Sequence, residues 1–338
     1  MDKLALMVKS GDLIQRIFSL TGDGGFWELA MEVFRYQARH NEVYRQFCHD
    51  LGCDPLQVKT PEDIPFLPIE LFKSRKVVSF AGKEACVFTS SGTTGSVPSR
   101  HYVADLSVYE RSFMTGFRHF YGEVSGYAVL ALLPGYLERQ DASLVYMTRR
   151  LIQESGHYQS SFYSNNMQDL VKGLKMLQKE GVRTLLLGVS FALLDLAGLH
   201  PMPLKRTIVM ETGGMKGRRR EMIREELHRI LSTAFQQEHI HSEYGMTELL
   251  SQAYSKGDGL FACPPWMRVV ARDSNDPLEL IGHGRSGGLN VIDLANIHSC
   301  SFLATQDLGK TYPDGRFEVL GRFDHSDVRG CNLMAEGL

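Results

Sequence analysis

The stretch from about residue 105 to 241 constrains the fold most. Short runs at 127–133, 184–188, 207–210 and 238–241 read as buried strands, and helix-like stretches at 105–120, 142–154, 167–179, 191–199 and 217–234 separate them. Strand alternating with helix, with strands apolar on both faces, predicts an α/β sheet that is at least partly parallel. Past Cys263 the texture changes to short strands and glycine turns at 289–294, 301–304 and 316–320, the last following Pro313-Asp314-Gly315. Ahead of the sheet, Met31, Phe34 and Ala38, then Tyr44, Phe47 and Leu51, step as amphipathic faces do, with a break expected near Asn41. Pro61, Pro65 and Pro68 exclude a regular helix there and predict an extended segment. The expected organisation is a helical segment over 1–60, an α/β core over 61–258, a β-rich subdomain over 259–325 and a tail over 326–338.

Composition narrows the function classes. The 39 acidic and 37 basic residues nearly cancel, so nothing demands a polyanionic partner and no nucleic acid is expected. The basic run from Lys216 to Arg220 reads as the solvated start of an amphipathic helix. Six cysteines are too few for a disulfide scaffold and lack paired C-x-x-C spacing, and His157, His239 and His241 lack helical metal spacing. The most apolar stretch, 185–199, is broken by Asp195 and too short to span a bilayer, and the first residues lack a signal-peptide core. A cytoplasmic protein with reduced thiols is the expectation.

The segment richest in chemistry is Phe88-Thr89-Ser90-Ser91-Gly92-Thr93-Thr94-Gly95-Ser96-Val97-Pro98-Ser99-Arg100. Glycines let backbone approach a ligand closely, and flanking hydroxyls with free N–H groups form an anion-binding concavity. A polar surface turn accounts for the same composition, and the segment is not a P-loop, because G-x-x-x-x-G-K-[ST] is absent.

It does resemble, nearly letter for letter, the phosphate-binding loop of adenylate-forming enzymes, [ST]-S-G-[ST]-T-G-x-x-[KR], with Arg100 where Lys is usual. Further segments follow in the order of that superfamily. Glu211-Thr212-Gly213-Gly214 resembles the loop bordering the adenine, and Tyr244-Gly245-Met246-Thr247-Glu248 resembles Y-G-x-T-E. Thr305-Gln306-Asp307-Leu308-Gly309 resembles T-G-D-x-G, and Gly321-Arg322-Phe323-Asp324 begins a likeness to the G-R-x-D hinge that continues to Gly330. The resemblance implies ATP and Mg²⁺ as cofactors. Tyr244 would stack on adenine, Thr247 meet the α-phosphate and Glu248 hold the metal, while Asp307 and Arg322 would bind the ribose. The implied fold is the α/β N-terminal domain of an adenylate-forming enzyme, mixed and parallel sheets flanked by helices plus a β-rich subdomain, lacking the usual C-terminal domain.

A narrower likeness lies in Ile64-Pro65-Phe66-Leu67-Pro68-Ile69-Glu70-Leu71-Phe72-Lys73-Ser74 and in the segment from Leu133 through Arg139 to Met147. Both are similar to the acyl-protein synthetase (LuxE-type) family, the fatty-acid-activating component of bacterial fatty acid reductases. The resemblance implies activation of a fatty acid as acyl-AMP, transfer to Cys331 as a thioester, and delivery to an acyl reductase partner. Arg329 beside Cys331 would lower its pKa, and Gly330 would let the segment swing. The other five cysteines read as packing residues. Two readings stand beside it: an acyl- or aryl-CoA ligase similar to phenylacetate–CoA ligase, and a non-catalytic adenylate-binding subunit.

Overall fold

The computed structural model describes residues 10–22, 24–91, 97–135, 139, 141–163, 166–213 and 222–323. Gly92, Thr93, Thr94, Gly95, Gly214 and Cys331, and the basic run 216–220, lie outside the described residues. Three helices lead the chain: α1 (Ser10–Ile17), α2 (Phe26–His40) and α3 (Glu42–Asp50). The break falls at Asn41, whose extended backbone ends α2 while its side chain accepts from the Tyr44 N–H and caps α3. α2 buries Phe26, Leu29, Val33, Phe34 and also Gln37. Gln37 has no exposed surface, and its amide donates to the Asn296 and Ile297 carbonyls at 3.0 Å, which ties the helical segment to the β-rich part.

The proline-rich stretch makes a 3₁₀ turn at Pro61–Asp63 and then β1 (Leu67–Pro68), parallel to a later strand through Leu67 and Leu303. A short α4 (Leu71–Ser74) follows. β2 (Cys86–Thr89) and β3 (Arg100–Val103) form an antiparallel hairpin that brackets the glycine-rich segment. Then come α5 (Leu106–Tyr121), β4 (Ala128–Leu132), α6 (Ser143–Ser155), β5 (Ser161–Phe162), α7 (Met167–Glu180), β6 (Thr184–Gly188), α8 (Ser190–Leu199), β7 (Thr207–Glu211), α9 (Arg224–Phe235) and β8 (His241–Tyr244). The remaining strands are β9 (Ala253–Ser255), β10 (Leu260–Ala262), β11 (Met267–Arg272), β12 (Leu280–Ile281), β13 (Gly287–Asp293), β14 (Phe302–Thr311) and β15 (Phe317–Arg322).

β5, β4, β6, β7 and β8 lie side by side and all parallel. β4 and β6 are buried at every position, because α7, α8 and α9 cover one face and α5 and α6 the other. From β8 the sheet turns antiparallel through β9, β10, β15, β14, β13, β11 and β12. The boundary expected at 258/259 therefore falls between β9 and β10, and the sheet runs across it. The strand read at 238–241 is displaced: the ladder begins only at His241 and runs to Tyr244. Glu238 and His239 are exposed there, and the buried positions are Ser242, Glu243 and Tyr244. The hairpin β2–β3 and the strands β9 to β12 carry too little periodicity for the sequence to announce them.

Candidate functional site

Parallel strands gather loops at their carboxyl ends, where ligands of open α/β sheets bind. The ends of β7 and β8 here open into a cavity of about 430 Å³. Thr212 follows β7, and Gly245, Met246, Thr247 and Glu248 follow β8. Thr89, Ser90 and Ser91 enter from the end of β2, Glu70 and Lys73 from the turn into α4, and Gln306 and Arg322 from β14 and β15. Tyr109, Leu144 and Met147 add an apolar wall from α5 and α6.

The segment after β8 is irregular and becomes buried from Glu248 onward, so its backbone polar groups need fixed partners. His101 bonds the Thr247 carbonyl through Nδ1 at 2.8 Å. Burial lowers the His101 pKa to about 4, so a neutral ring donates from Nδ1 to that oxygen. Asn296 donates to the Glu248 carbonyl at 2.8 Å, and the Asp293 carboxylate accepts from the Leu250 and Ser251 N–H groups at 2.8 and 2.9 Å. Thr247 and Glu248 are thereby presented by a rigid turn. Burial raises the Glu248 carboxyl above its usual value, and a Ser99 hydrogen bond opposes the rise.

The entry to the glycine-rich segment is clamped from the other side. Arg139 donates to the Thr89 carbonyl at 2.8 Å and the Ser90 carbonyl at 3.0 Å, and its Nε lies 3.7 Å from Asp141. Asp141 accepts from the Thr89 hydroxyl, and its carbonyl accepts the Thr89 N–H at 2.9 Å. Arg139 and Lys73 both line the cavity, whereas Arg100 is exposed on β3 and does not. The cations at the cavity wall are therefore Lys73, Arg139 and Arg322 among the described residues.

Tyr244 and Asp307 lie just outside the wall. The Tyr244 ring is buried against Phe261 and Phe317, and its hydroxyl donates to Asp307 Oδ2 at 2.8 Å. Arg322 holds the other carboxylate oxygen of Asp307 at 3.2 Å. Tyr244 is thus buried beside two aromatic rings and is not among the residues that line the cavity. Gly213, in the left-handed region at φ 61°, donates its N–H to Glu211 Oε2 at 2.7 Å and likewise does not line the cavity.

Two neighbouring buried carboxyls are driven in opposite directions. Burial opposes ionisation of Glu211, but His228, Arg224, Ser242 and the Gly213 N–H outweigh it and hold the group at about 2. Glu243 has no cationic partner among the described residues, and burial raises it to about 7; the Thr212 hydroxyl opposes and the Glu211 charge adds to the rise. A carboxyl raised in the folded state contributes stability below its unfolded value of 4.5 that is lost as pH climbs through about 7. Glu243→Gln is therefore expected to match the wild type at pH 4.5 and to exceed it at pH 8.5 by about 3 kcal/mol. Urea denaturation at the two pH values measures this, and equal differences at both would show that Glu243 does not titrate between them.

Of the residues singled out in the sequence, Ser90, Ser91, Thr212, Gly245, Thr247, Glu248 and Arg322 line the cavity. Arg139, Lys73, Glu243 and Gln252 line it too and were not singled out. Lys73 and Arg139 sit within the two segments that carry the narrower resemblance, and Glu243 directly precedes Tyr244. Magnesium is met by one or two carboxylates plus phosphate oxygens and water, so Glu248, one of three carboxyls at this wall with Glu70 and Glu243, fits it. No cluster of three His, Cys, Asp or Glu side chains among the described residues forms a cage of protein ligands.

With this geometry in place, the similarities of the chain are informative. Residues 26–120 match the family described as acyl-protein synthetase, LuxE. The long-chain-fatty-acid–luciferin-component ligase of Vibrio harveyi is 23% identical over 329 residues, covering 90% of this chain and 85% of that protein. ATP-bound MatB from Rhodopseudomonas palustris superimposes with a TM-score of 0.54 at 15% identity, over 72% of this chain and 49% of that one. An open conformation of 2-hydroxyisobutyryl-CoA ligase gives 0.63 at 12% identity, over 91% of this chain and 72% of that one. This chain thus has the fold of adenylate-forming enzymes and spans about half the length of MatB.

Proposed function

From its standing as a LuxE-type acyl-protein synthetase homologue with the fold of an AMP-forming ligase, we propose that this chain activates a fatty acid with ATP as acyl-AMP. The acyl group then passes to the Cys331 thiol, for delivery to an acyl reductase. The observation that carries the reading is the single cavity in which Ser90, Ser91, Thr247 and Glu248 face Lys73, Arg139 and Arg322.

A carboxylate is a poor electrophile but already a nucleophile, so it reacts first at phosphorus, and the mixed anhydride that results is the electrophile. The carboxylate oxygen attacks the α-phosphorus of ATP, the α–β bridging P–O bond breaks, and pyrophosphate departs. Lys73, Arg139 and Arg322 offset the charge that crowds two anions together, and the Ser90, Ser91 and Thr247 groups orient the phosphate. Glu248 would hold Mg²⁺, which would supply further charge neutralisation. Asp307 and Arg322 are assigned to the ribose, Tyr244 and Gly213 to the adenine side. A thiolate then attacks the acyl carbonyl, and AMP leaves.

Fatty-acid-dependent ATP–pyrophosphate exchange tests the first half. Glu248→Gln is expected to lower it by about 10² to 10³. Absence of exchange with every carboxylic acid tried would instead favour an adenylate-binding subunit without turnover. No helix among the described residues is long and apolar enough to cross a membrane.

A further inference from the structure

We propose that His101 is a positioning residue for the adenylation step, tying Thr247 and Glu248 to the hairpin that carries the glycine-rich segment; this rests on the adenylating function above. The hairpin register sets Phe88 opposite His101 and Thr89 opposite Arg100. Side chains alternate along extended backbone. Arg100 accordingly is exposed, whereas Ser99 and His101 on either side of it are 3% and 1% exposed. These two inward side chains meet consecutive residues of the segment after β8. Ser99 hydrogen-bonds the Glu248 carboxyl, and His101 Nδ1 bonds the Thr247 carbonyl at 2.8 Å.

The second bond has a direction. A carbonyl oxygen only accepts, so the ring nitrogen 2.8 Å from it carries the proton. The ring is also held in place: it has almost no exposed surface, and the Phe72 ring packs against it edge to face at 5.9 Å. The hairpin end is latched in turn. Ser90 N–H donates to the Ser99 carbonyl at 3.1 Å, and the Ser90 hydroxyl oxygen accepts the Ser99 N–H at 2.9 Å. Ser90, Thr247 and Glu248 line the cavity, and His101 is not among the residues that do. It acts by fixing the peptide that carries Thr247 and Glu248. Asn296 holds the Glu248 carbonyl from the β-rich side at 2.8 Å, so His101 is the anchor supplied by the hairpin. Without it the Thr247 hydroxyl and the Glu248 carboxyl keep their chemistry and lose their alignment with Ser90 and Ser91. A displacement of about 1 Å in such an arrangement costs about 10² in rate.

The test is fatty-acid-dependent ATP–pyrophosphate exchange in His101→Asn, His101→Gln and His101→Leu, each checked for folding by urea denaturation. An asparagine amide places its N–H near the position of Nδ1, and a glutamine amide places its own near Nε2. The kcat of His101→Asn is expected to stay within about tenfold of wild type, and those of His101→Gln and His101→Leu to fall by about 10², with KM for the acid little changed. If the ring served packing alone, His101→Leu would be the best of the three. Equal kcat in His101→Asn and His101→Gln, a His101→Leu as active as His101→Asn, or loss of folding in all three would overturn the proposal and leave adenylation intact. Exchange by the wild type with no acid would overturn it together with the reading it rests on.

Discussion

Serine in place of Cys331 is expected to abolish the hydroxylamine-labile acyl adduct formed with ATP, Mg²⁺ and labelled fatty acid, while fatty-acid-dependent pyrophosphate exchange continues. The nucleophile must be a thiolate, and the described thiols are poor sources of one. Burial pushes Cys48 and Cys263 to about 12, leaving on the order of one thiolate in 10⁵ at pH 7. Cys300 is raised further, again by burial, and Cys53 and Cys86 are raised by burial and by nearby Asp54 and Asp141. Cys331 lies outside the described residues, and its assignment rests on the family resemblance. Intact mass after incubation reads the result directly. An equally labile adduct in Cys331→Ser that disappears in Cys86→Ser would move the acceptor to Cys86, at the start of β2. AMP release that requires coenzyme A, unchanged by either substitution, would favour the acyl-CoA ligase reading.

The sequence revealed the parallel core because burial on both faces writes itself as unbroken apolar runs, as in Ala128–Leu132 and Thr184–Gly188. It misplaced the strand after α9 because His241, Ser242 and Glu243 are polar residues held in the interior by partners on other elements: Tyr121, His228 and Thr212. The same cause hid part of the site. Ser90, Thr247 and Glu248 stand in contiguous motifs, whereas Arg139 reaches the cavity only because Asp141 and Thr89 pair across 52 positions. Tyr244 shows the converse: its motif is legible, yet where its ring packs depends on Phe261 and Phe317, strands away. Gln252 carries no motif at all. It lines the cavity all the same.

The largest stability effect is expected at Arg224. Its Nε donates to Glu211 Oε1 at 3.2 Å, another guanidinium nitrogen to the Val319 carbonyl at 2.9 Å, and its plane lies over Phe261. It thus joins the loop after β7 to the strand β15 that ends in Arg322. Arg224→Leu leaves a buried anion with His228 at 3.7 Å, the Ser190 hydroxyl and the Gly213 N–H as its partners. Removal of one member of a buried pair should cost about 3 kcal/mol. The pH dependence identifies the cause. A carboxyl depressed to about 2 contributes stability that is present above 4.5 and lost as pH falls through 2. Without Arg224 the folded-state value rises, so the deficit should be widest at pH 7 and shrink at pH 3. Because Gly213 hangs on the same carboxylate, KM for ATP should rise in the exchange assay while Arg224→Lys recovers part of the stability. A deficit of equal size at pH 3 and pH 7 would mean that Arg224 acts through packing on Phe261 and not through Glu211.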